Sequence, residues 1–254
     1  MFVPYGISLF FGLWIILTNC YHAEGYVLNT NPTFAKWPGN TVPFLISPEY
    51  SPAEQSTIRL AAAQLQADMG NCIRFVDLTN SGIPTNTHYV IISKSGGPGV
   101  PASSCYSFPG MVVSPSQPPP SYAQHMAIQN GPGGCLSSTR QVMRFLASVL
   151  GLRGEHNKPG RDNFIQINIQ NVDRLAPLVG AFNEYDPRTV AFNATDFDYN
   201  SISMLDPLSY SRNGAPVIVS RNGRPIFNGG RLSFRDCYAL SLMYGCMVQC
   251  PTFY

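Results

Sequence analysis

The residues that could bind or activate a small group gather around one predicted helix and the turn that follows it. Arg144 and Ser148 lie on the same face of that helix, and Glu155 and His156 follow the glycine that ends it. Two donors without a third do not make a structural or catalytic zinc site. The remaining histidines of the folded region lie in strand patterns, where a structural role is the simpler interpretation: His88 and His125.

Local patterns predict three helices and several strands. A capping box with proline at the first helical position, Ser51-Pro52-Ala53-Glu54, starts a helix to about Met69. Ser138 or Thr139 caps the helix that carries Arg144, Gly151 ends it, and its apolar stripe faces away from Arg144. A third helix is predicted over 233–244, and strands over 42–46, 73–77, 89–93, 105–108 and 122–129.

The segment 144–156 reads RFLASVLGLRGEH, and 161–172 reads RDNFIQINIQNV. Together they resemble the active-site region of the astacin family of zinc metalloendopeptidases, whose motif is H-E-x-x-H-x-x-G-x-x-H-E followed by an R-D-N-[YF]-[VI] run. Further blocks resemble the family in the same order, so that the likeness covers about residues 35–246: WPGNTVPF at 37–44, CIRF at 72–75, SCYSF at 104–108, GC at 134–135, FDYNSI at 197–202 and YGC at 244–246.

Laid on that motif without a gap, the zinc-ligand histidines fall on Arg144, Ser148 and Gly154, and the general-base glutamate on Phe145. Zinc takes neutral imidazole, thiolate or carboxylate donors, and a guanidinium has no lone pair to offer. We therefore expect no zinc, no other cofactor and no catalytic residue, so that the chain is an inactive homologue of a zinc metalloendopeptidase.

The resemblance also covers the Met-turn, S-x-M-H-Y in the family, where the methionine position falls on Ser203 and the tyrosine on Leu205. A slip of one residue restores Met204 but brings no tyrosine. The retained Glu155 is the residue that binds the buried N-terminus of the matured enzyme in the family. Since about a dozen residues separate the expected signal cut from Trp37, and no F-x-G-D segment precedes it, we expect no propeptide.

The fold class that the resemblance implies is α+β, the zincin-like fold of the astacin catalytic domain. It has a twisted mixed sheet with two long helices in an N-terminal lobe (about 35–153), an irregular C-terminal lobe (about 154–254) and a cleft between them. The predicted strand 105–108 is then the antiparallel edge strand that borders the cleft. The loop 109–120 departs from the family and contains three consecutive prolines. It is either a tolerated insertion or a recognition loop on the rim of the cleft.

The composition favours a secreted protein of one large domain or two lobes. The chain has 254 residues, of which 44% are hydrophobic and 12% charged, with a net charge of +2 and no basic run, so nothing favours nucleic acid. Residues 1–23 read as a signal peptide before a domain at 24–254, and an uncleaved membrane anchor is the alternative. We expect an extracellular protein with no membrane contact after cleavage.

Seven cysteines become six if Cys20 leaves with the signal peptide. The family resemblance implies the disulfides Cys72–Cys246 and Cys105–Cys135. It does not supply a partner for Cys237 or Cys250. By elimination these two cysteines would bond to each other, and the alternatives are that they stay free or bond to another chain. Asn193-Ala194-Thr195 is an N-glycosylation sequon, so Asn193 is the predicted glycosylation site.

Three functions remain open at this stage. The first is a secreted pseudoprotease that binds an extracellular peptide or protein in the cleft by β-augmentation, its partner unidentified. The second is a metalloendopeptidase with a non-standard zinc site, and the third a structural extracellular component. Arg144 needs a partner in each case: either an internal salt bridge to Asp162 or Glu155, or an external carboxylate for which Arg144 is the cleft anchor.

Overall fold

The computed structural model describes residues 26–95, 105–113, 121–131, 134–174, 176–177, 180–226 and 229–250. The predicted signal peptide at 1–23 and the three consecutive prolines at 118–120 lie outside the described residues.

The described chain contains α-helices and short strands in mixed order, so the predicted α+β class is confirmed. The helices are α1 (Pro52–Asp68), α2 (Thr139–Val149) and α3 (Phe234–Tyr244). The strands are β1 (Val27–Asn29), β2 (Phe34–Ala35), β3 (Thr41–Ile46), β4 (Arg74–Asp77), β5 (Thr87–Ser93), β6 (Met111–Val112), β7 (Ser121–Ala127), β8 (Ile165–Ile167), β9 (Val190–Phe192) and β10 (Ile218–Ser220).

The main sheet has the strand order β4-β3-β5-β7, and each neighbouring pair is parallel. Strand β3 alternates buried and half-buried residues, as its apolar pattern predicts. The capping box of α1 is present, with Ser51 and Glu54 each accepting the other's backbone N–H. Helices α1 and α2 pack on each other, and both contribute to the larger of two hydrophobic cores.

The predicted strand 105–108 is wrong as a strand. Only Tyr106 pairs with the sheet, through an antiparallel bridge to Ala127 at the end of β7, with N–H···O distances of 3.1 and 2.9 Å. The ladder stops because Gly110 turns back on Phe108 at a φ of +127°, and a Cβ at that glycine would lie 2.9 Å from the carbonyl oxygen of Ala35. The 109–120 segment is also not all loop, since β6 pairs antiparallel with β2.

Apart from α3, the C-terminal half is built mainly from turns and strands of three residues around a second core that includes Phe197, Met204 and Leu205. Two antiparallel pairs occur in this region, β8 with β10 and β1 with β9. Strand β1 precedes residue 35, the expected start of the N-terminal lobe, and yet it pairs with the C-terminal half. The segment before residue 35 therefore helps to join the two halves.

The three expected disulfides are all present: Cys72–Cys246, Cys105–Cys135 and Cys237–Cys250. The third answers the question that the sequence left open, because Cys237 of α3 bonds to Cys250 shortly after the helix. Within the described residues, no helix is both long enough and apolar enough to cross a lipid bilayer.

Candidate functional site

Helix α2 is the element that positions the candidate site. Ser138 caps its start by accepting the N–H of Gln141. The carbonyls of the last turn have no hydrogen-bond donor within the helix, and two side chains distant in sequence donate to them. The indole N–H of Trp37 donates to the Val149 carbonyl at 2.8 Å, and the Tyr244 hydroxyl donates to the Leu150 carbonyl at 3.0 Å. Both ends of the helix are therefore fixed by side-chain hydrogen bonds.

Arg144 projects from the middle of α2 towards the C-terminal half and is half-buried. Its guanidinium carbon lies 4.5 Å from the centre of the Phe145 ring, and its Nε is buried without a hydrogen-bond partner. Burial lowers the pKa of Arg144 to about 10; Tyr210 opposes this shift, and nearby Arg140 adds to it. The side chain therefore remains a cation at neutral pH.

Both residues expected as internal partners of Arg144 are occupied elsewhere. Asp162 pairs with Arg161, whose Nε lies 2.7 Å from its Oδ1. Glu155 pairs with Lys158, whose Nζ lies 2.5 Å from its Oε1. The prediction of a salt bridge from Arg144 to Asp162 or Glu155 is wrong, because arginine and lysine residues close in sequence reach these carboxylates first.

Gly154 lies against the imidazole of His156. A Cβ on Gly154 would lie 2.6 Å from Cε1 of His156, so any larger residue there requires the ring to move. His156 is buried, and burial followed by the charges of Arg144 and Arg161 lowers its pKa to about 3. A neutral imidazole therefore occupies the space beside the third zinc-ligand position. Ser148 is half-buried on the same face of α2 as Arg144.

The residues that align with the Met-turn lie close to α2 and connect it to the second core. Leu205 and Met204 are both buried in the second core. The Met204 carbonyl accepts a hydrogen bond from Arg140 at 2.9 Å, and the hydroxyl of Ser203 accepts the backbone N–H of Glu155 at 3.1 Å. These contacts hold α2, the turn after it and the second core together.

A buried ionic seam, which sequence reasoning missed, runs behind the turn after α2. We define it as Glu155, Lys158, Asp198 and Asp236. Lys158 is 0% and Glu155 1% exposed. Besides the lysine, the Glu155 carboxylate accepts the backbone N–H of Asp198 at 3.0 Å. The Lys158 ammonium thus pairs with the Glu155 carboxylate. The resemblance to the astacin family implies that this carboxylate would otherwise bind the N-terminus of the chain.

The two aspartates of the ionic seam lie at the start of α3. The Asp198 carboxylate accepts the Ser233 hydroxyl at 2.6 Å, and that of Asp236 accepts the Ser201 hydroxyl at 2.6 Å and the Ile202 N–H at 2.6 Å. Burial, and next the charge of Asp198, raises the pKa of Asp236 to about 7. The one signal for Asp236 in the sequence is the capping box that it forms with Ser233 at the start of α3.

The other predicted site residues lie apart from α2. His88 stacks on Tyr122 with ring centres 4.4 Å apart, and His125 is on β7 of the main sheet. The side chain of Asn193 accepts hydrogen bonds from the backbone N–H and the hydroxyl of Thr195, the third residue of its sequon. Arg153, which sequence reasoning did not single out, lies after α2 with its guanidinium carbon 4.2 Å from the centre of the Tyr185 ring.

The residues at the expected zinc positions do not fit a zinc ion. A guanidinium, a phenyl ring and a glycine supply no donor, and a lone serine hydroxyl is a poor ligand. In the described part of the chain, no group of three or more His, Cys, Asp or Glu side chains is arranged to hold a metal.

Comparison with known proteins gives the same family from sequence and from structure. The model of the astacin peptidase family matches residues 29–245. Zinc metalloproteinase nas-7 of Caenorhabditis elegans is 32% identical over 214 residues, which cover 84% of this chain and 49% of the relative. High choriolytic enzyme 1 of Oryzias latipes is 27% identical over 209 residues, 81% of this chain and 66% of the relative. The chain spans about half the length of several curated relatives it matches.

Solved structures show the same fold. That of high choriolytic enzyme 1, a hatching enzyme zinc-protease from medaka, superposes with a TM-score of 0.61 at 24% identity, covering 84% of this chain and 95% of the other. Myroilysin superposes with a TM-score of 0.52 at 17% identity, covering 87% of this chain and 100% of the other. With a family model that spans most of its length, the chain belongs to the astacin family of peptidases.

Proposed function

We propose that this protein is a secreted, catalytically inactive astacin-family domain that binds an extended peptide or protein segment without cleaving it. One observation carries the proposal: at the positions of the family's three histidines and its glutamate stand Arg144, Ser148, Gly154 and Phe145. The close contact of Gly154 with His156 supports it, because the space for a third ligand is taken.

Zinc peptidases need a metal to polarise the scissile carbonyl and a base to activate water. Arg144 is a cation where the metal ion would bind, and it can neither donate a lone pair nor accept a proton at neutral pH. Phe145 has no group that moves a proton. Peptide hydrolysis by the family mechanism has no residue to support it here.

Binding of an extended segment is supported by the edge of the main sheet. Tyr106 uses both backbone groups on Ala127, so the backbone groups of the next residue, Ser107, point away from the sheet. No described residue makes a hydrogen bond to the backbone N–H or C=O of Ser107, and its hydroxyl is buried without a partner. An added strand would satisfy these groups, as in β-augmentation.

Secretion is supported by the apolar N-terminal segment at 1–23 and by the three disulfides, since such bonds persist in oxidising compartments. The sequon at Asn193 agrees with passage through that route.

The test uses the protein purified from the medium of secreting cells, with medaka high choriolytic enzyme 1 as the positive control. We expect far less than one zinc per chain by mass spectrometry after dialysis, and no chelator-sensitive cleavage of a mixed peptide substrate. Stoichiometric zinc or such cleavage would overturn the proposal and favour a metalloendopeptidase with a non-standard site.

A further inference from the structure

Two arginines beside the former zinc positions lack the ionic partners that other arginines of this protein have. In the described residues, Arg144 and Arg153 form no salt bridge, and the Nε of each is buried without a hydrogen-bond partner. Other arginines pair with carboxylates: Arg59 with Asp77, Arg161 with Asp162, Arg188 with Asp186, Arg231 with Asp68, and Arg235 with Asp196. A partly buried guanidinium without a counter-charge carries a desolvation cost that a ligand can offset.

Tyr185 contacts the turn after α2 that carries Arg153. Its ring lies 4.2 Å from the guanidinium carbon of Arg153, and its hydroxyl accepts the backbone N–H of Gly154 at 3.1 Å. Tyr185, like Tyr210, opposes the lowering of the pKa of Arg144 by burial. The acidic residues on either side of Tyr185 are engaged elsewhere: Glu184 accepts the Gly160 N–H, and Asp186 binds Arg188.

The backbone fixes Arg153 in this position. Its N–H donates to the carbonyl of Val27 in β1 at 2.8 Å, and Leu152 bridges to Leu28. The carbonyl of Pro109 lies 4.0 Å from where a Cβ on Gly151 would be, so the segment that contains Ser107 passes the same end of α2. The chain just after Ser107 therefore lies beside the turn that leads to Arg153.

We propose that Arg144 and Arg153, with Tyr185 beside Arg153, form a subsite for the side-chain carboxylate of an acidic residue in a bound peptide. This inference rests on the proposed peptide-binding function and names the chemistry of its partner. Each guanidinium presents a planar set of donors that suits the two oxygens of a carboxylate. The rings of Phe145 and Tyr185 cover one face of each guanidinium, so the N–H groups at the guanidinium edges remain the donors. The nearby His156 is neutral and adds no charge.

The experiment titrates the intact, disulfide-bonded protein with short alanine peptides that carry blocked termini and one central glutamate, glutamine or phosphoserine. Inorganic phosphate is a separate arm. Binding is followed by the NMR signals of the arginine Nε–H groups. We expect the glutamate peptide to bind about tenfold more tightly than the glutamine peptide, equivalent to about 1.4 kcal/mol. This preference should vanish in Arg144→Gln and in Arg153→Gln.

Arg188→Gln is the matched control, because Arg188 is exposed and pairs with Asp186, and it should keep the preference. If Arg144→Gln does not fold, Arg144→Lys takes its place. This variant keeps the charge without the planar guanidinium and should show a reduced preference for the glutamate peptide. Equal binding of the glutamate and glutamine peptides without cleavage would overturn this inference and leave the proposed function standing. Tighter binding of phosphoserine or phosphate would overturn the carboxylate assignment. Zinc or peptide cleavage in the same samples would count against the proposed function itself.

Discussion

Replacing Lys158 with methionine tests whether the ionic seam holds the two halves of this fold together. The substitution keeps the length of the side chain and removes the ammonium. Glu155 would keep the Asp198 N–H and lose its counter-ion, and the Asp196 carbonyl would lose the donor it receives from Lys158. With both partners this deeply buried, removal of one leaves a charge that water cannot reach.

Breaking a buried ion pair from one side costs about 3–5 kcal/mol. For a domain of this size, 1 kcal/mol lowers the melting temperature by about 2–4 °C, so Lys158→Met should lower it by roughly 6–20 °C. The loss depends on pH, because burial raises the pKa of Glu155 and the variant lacks the lysine that opposes this shift. Folding then takes up a proton, so the unfolding free energy of the variant falls as pH rises above the unfolded carboxyl pKa. The gap from the parent should widen between pH 5 and pH 8.

The assay is thermal unfolding followed by near-UV circular dichroism, with the disulfides intact. Glu155→Gln and the double variant complete a cycle, and the double variant should lose less stability than Lys158→Met alone, since no buried charge is left unpaired. Lys36→Met is the matched control, because that lysine is exposed and should change stability little. A Lys158→Met protein within about 1 kcal/mol of the parent at pH 8 would refute the reasoning.

Two further predictions concern the space beside Gly154. Gly154→Ala should destabilise the protein by about 1–3 kcal/mol through overpacking, and His156→Ala should relieve that penalty; additive losses in denaturant unfolding would contradict the contact. His156→Gln should gain stability relative to the parent as pH falls from 6 to 4, by up to about 1.4 kcal/mol per unit, because the unfolded parent then takes up a proton that folded His156, with a pKa of about 3, does not bind. Chemical denaturation at several pH values measures this, and a constant difference between the two proteins would count against it.

The helices and two of the three disulfides were predictable because their signals are local or carried by family resemblance. The capping box at Ser51 and the glycine at 151 fix the ends of their helices in the sequence itself. The predicted strand at 105–108 is wrong for a reason that is also local, since Pro109-Gly110 turns the chain after one bridge. A stretch of suitable strand residues does not show how many of them find a partner.

The ionic seam could not be predicted, because the burial of a charge depends on elements distant in the sequence. Lys158 looks like a surface lysine in a polar turn, and only the packing of Phe164 and Phe197 around its ammonium shows otherwise. The same holds for Arg144. Its two nearest candidate partners in sequence were reasonable, and both are taken by cations whose positions the sequence does not give.

These arrangements explain how α2 is held in place by contacts that do not involve the zinc-ligand positions of the family. Trp37, Tyr244 and β1 fix the end of α2 through contacts that involve no zinc-ligand position. Lys158 neutralises Glu155 from within the chain, so this carboxylate is not free to pair with Arg144. Structural stability is thereby separated from the chemistry of the site, and no described residue forms a salt bridge with Arg144. Asp162 and Glu155 are paired with Arg161 and Lys158, so a carboxylate from a bound peptide is the counter-charge that the proposed subsite requires for Arg144.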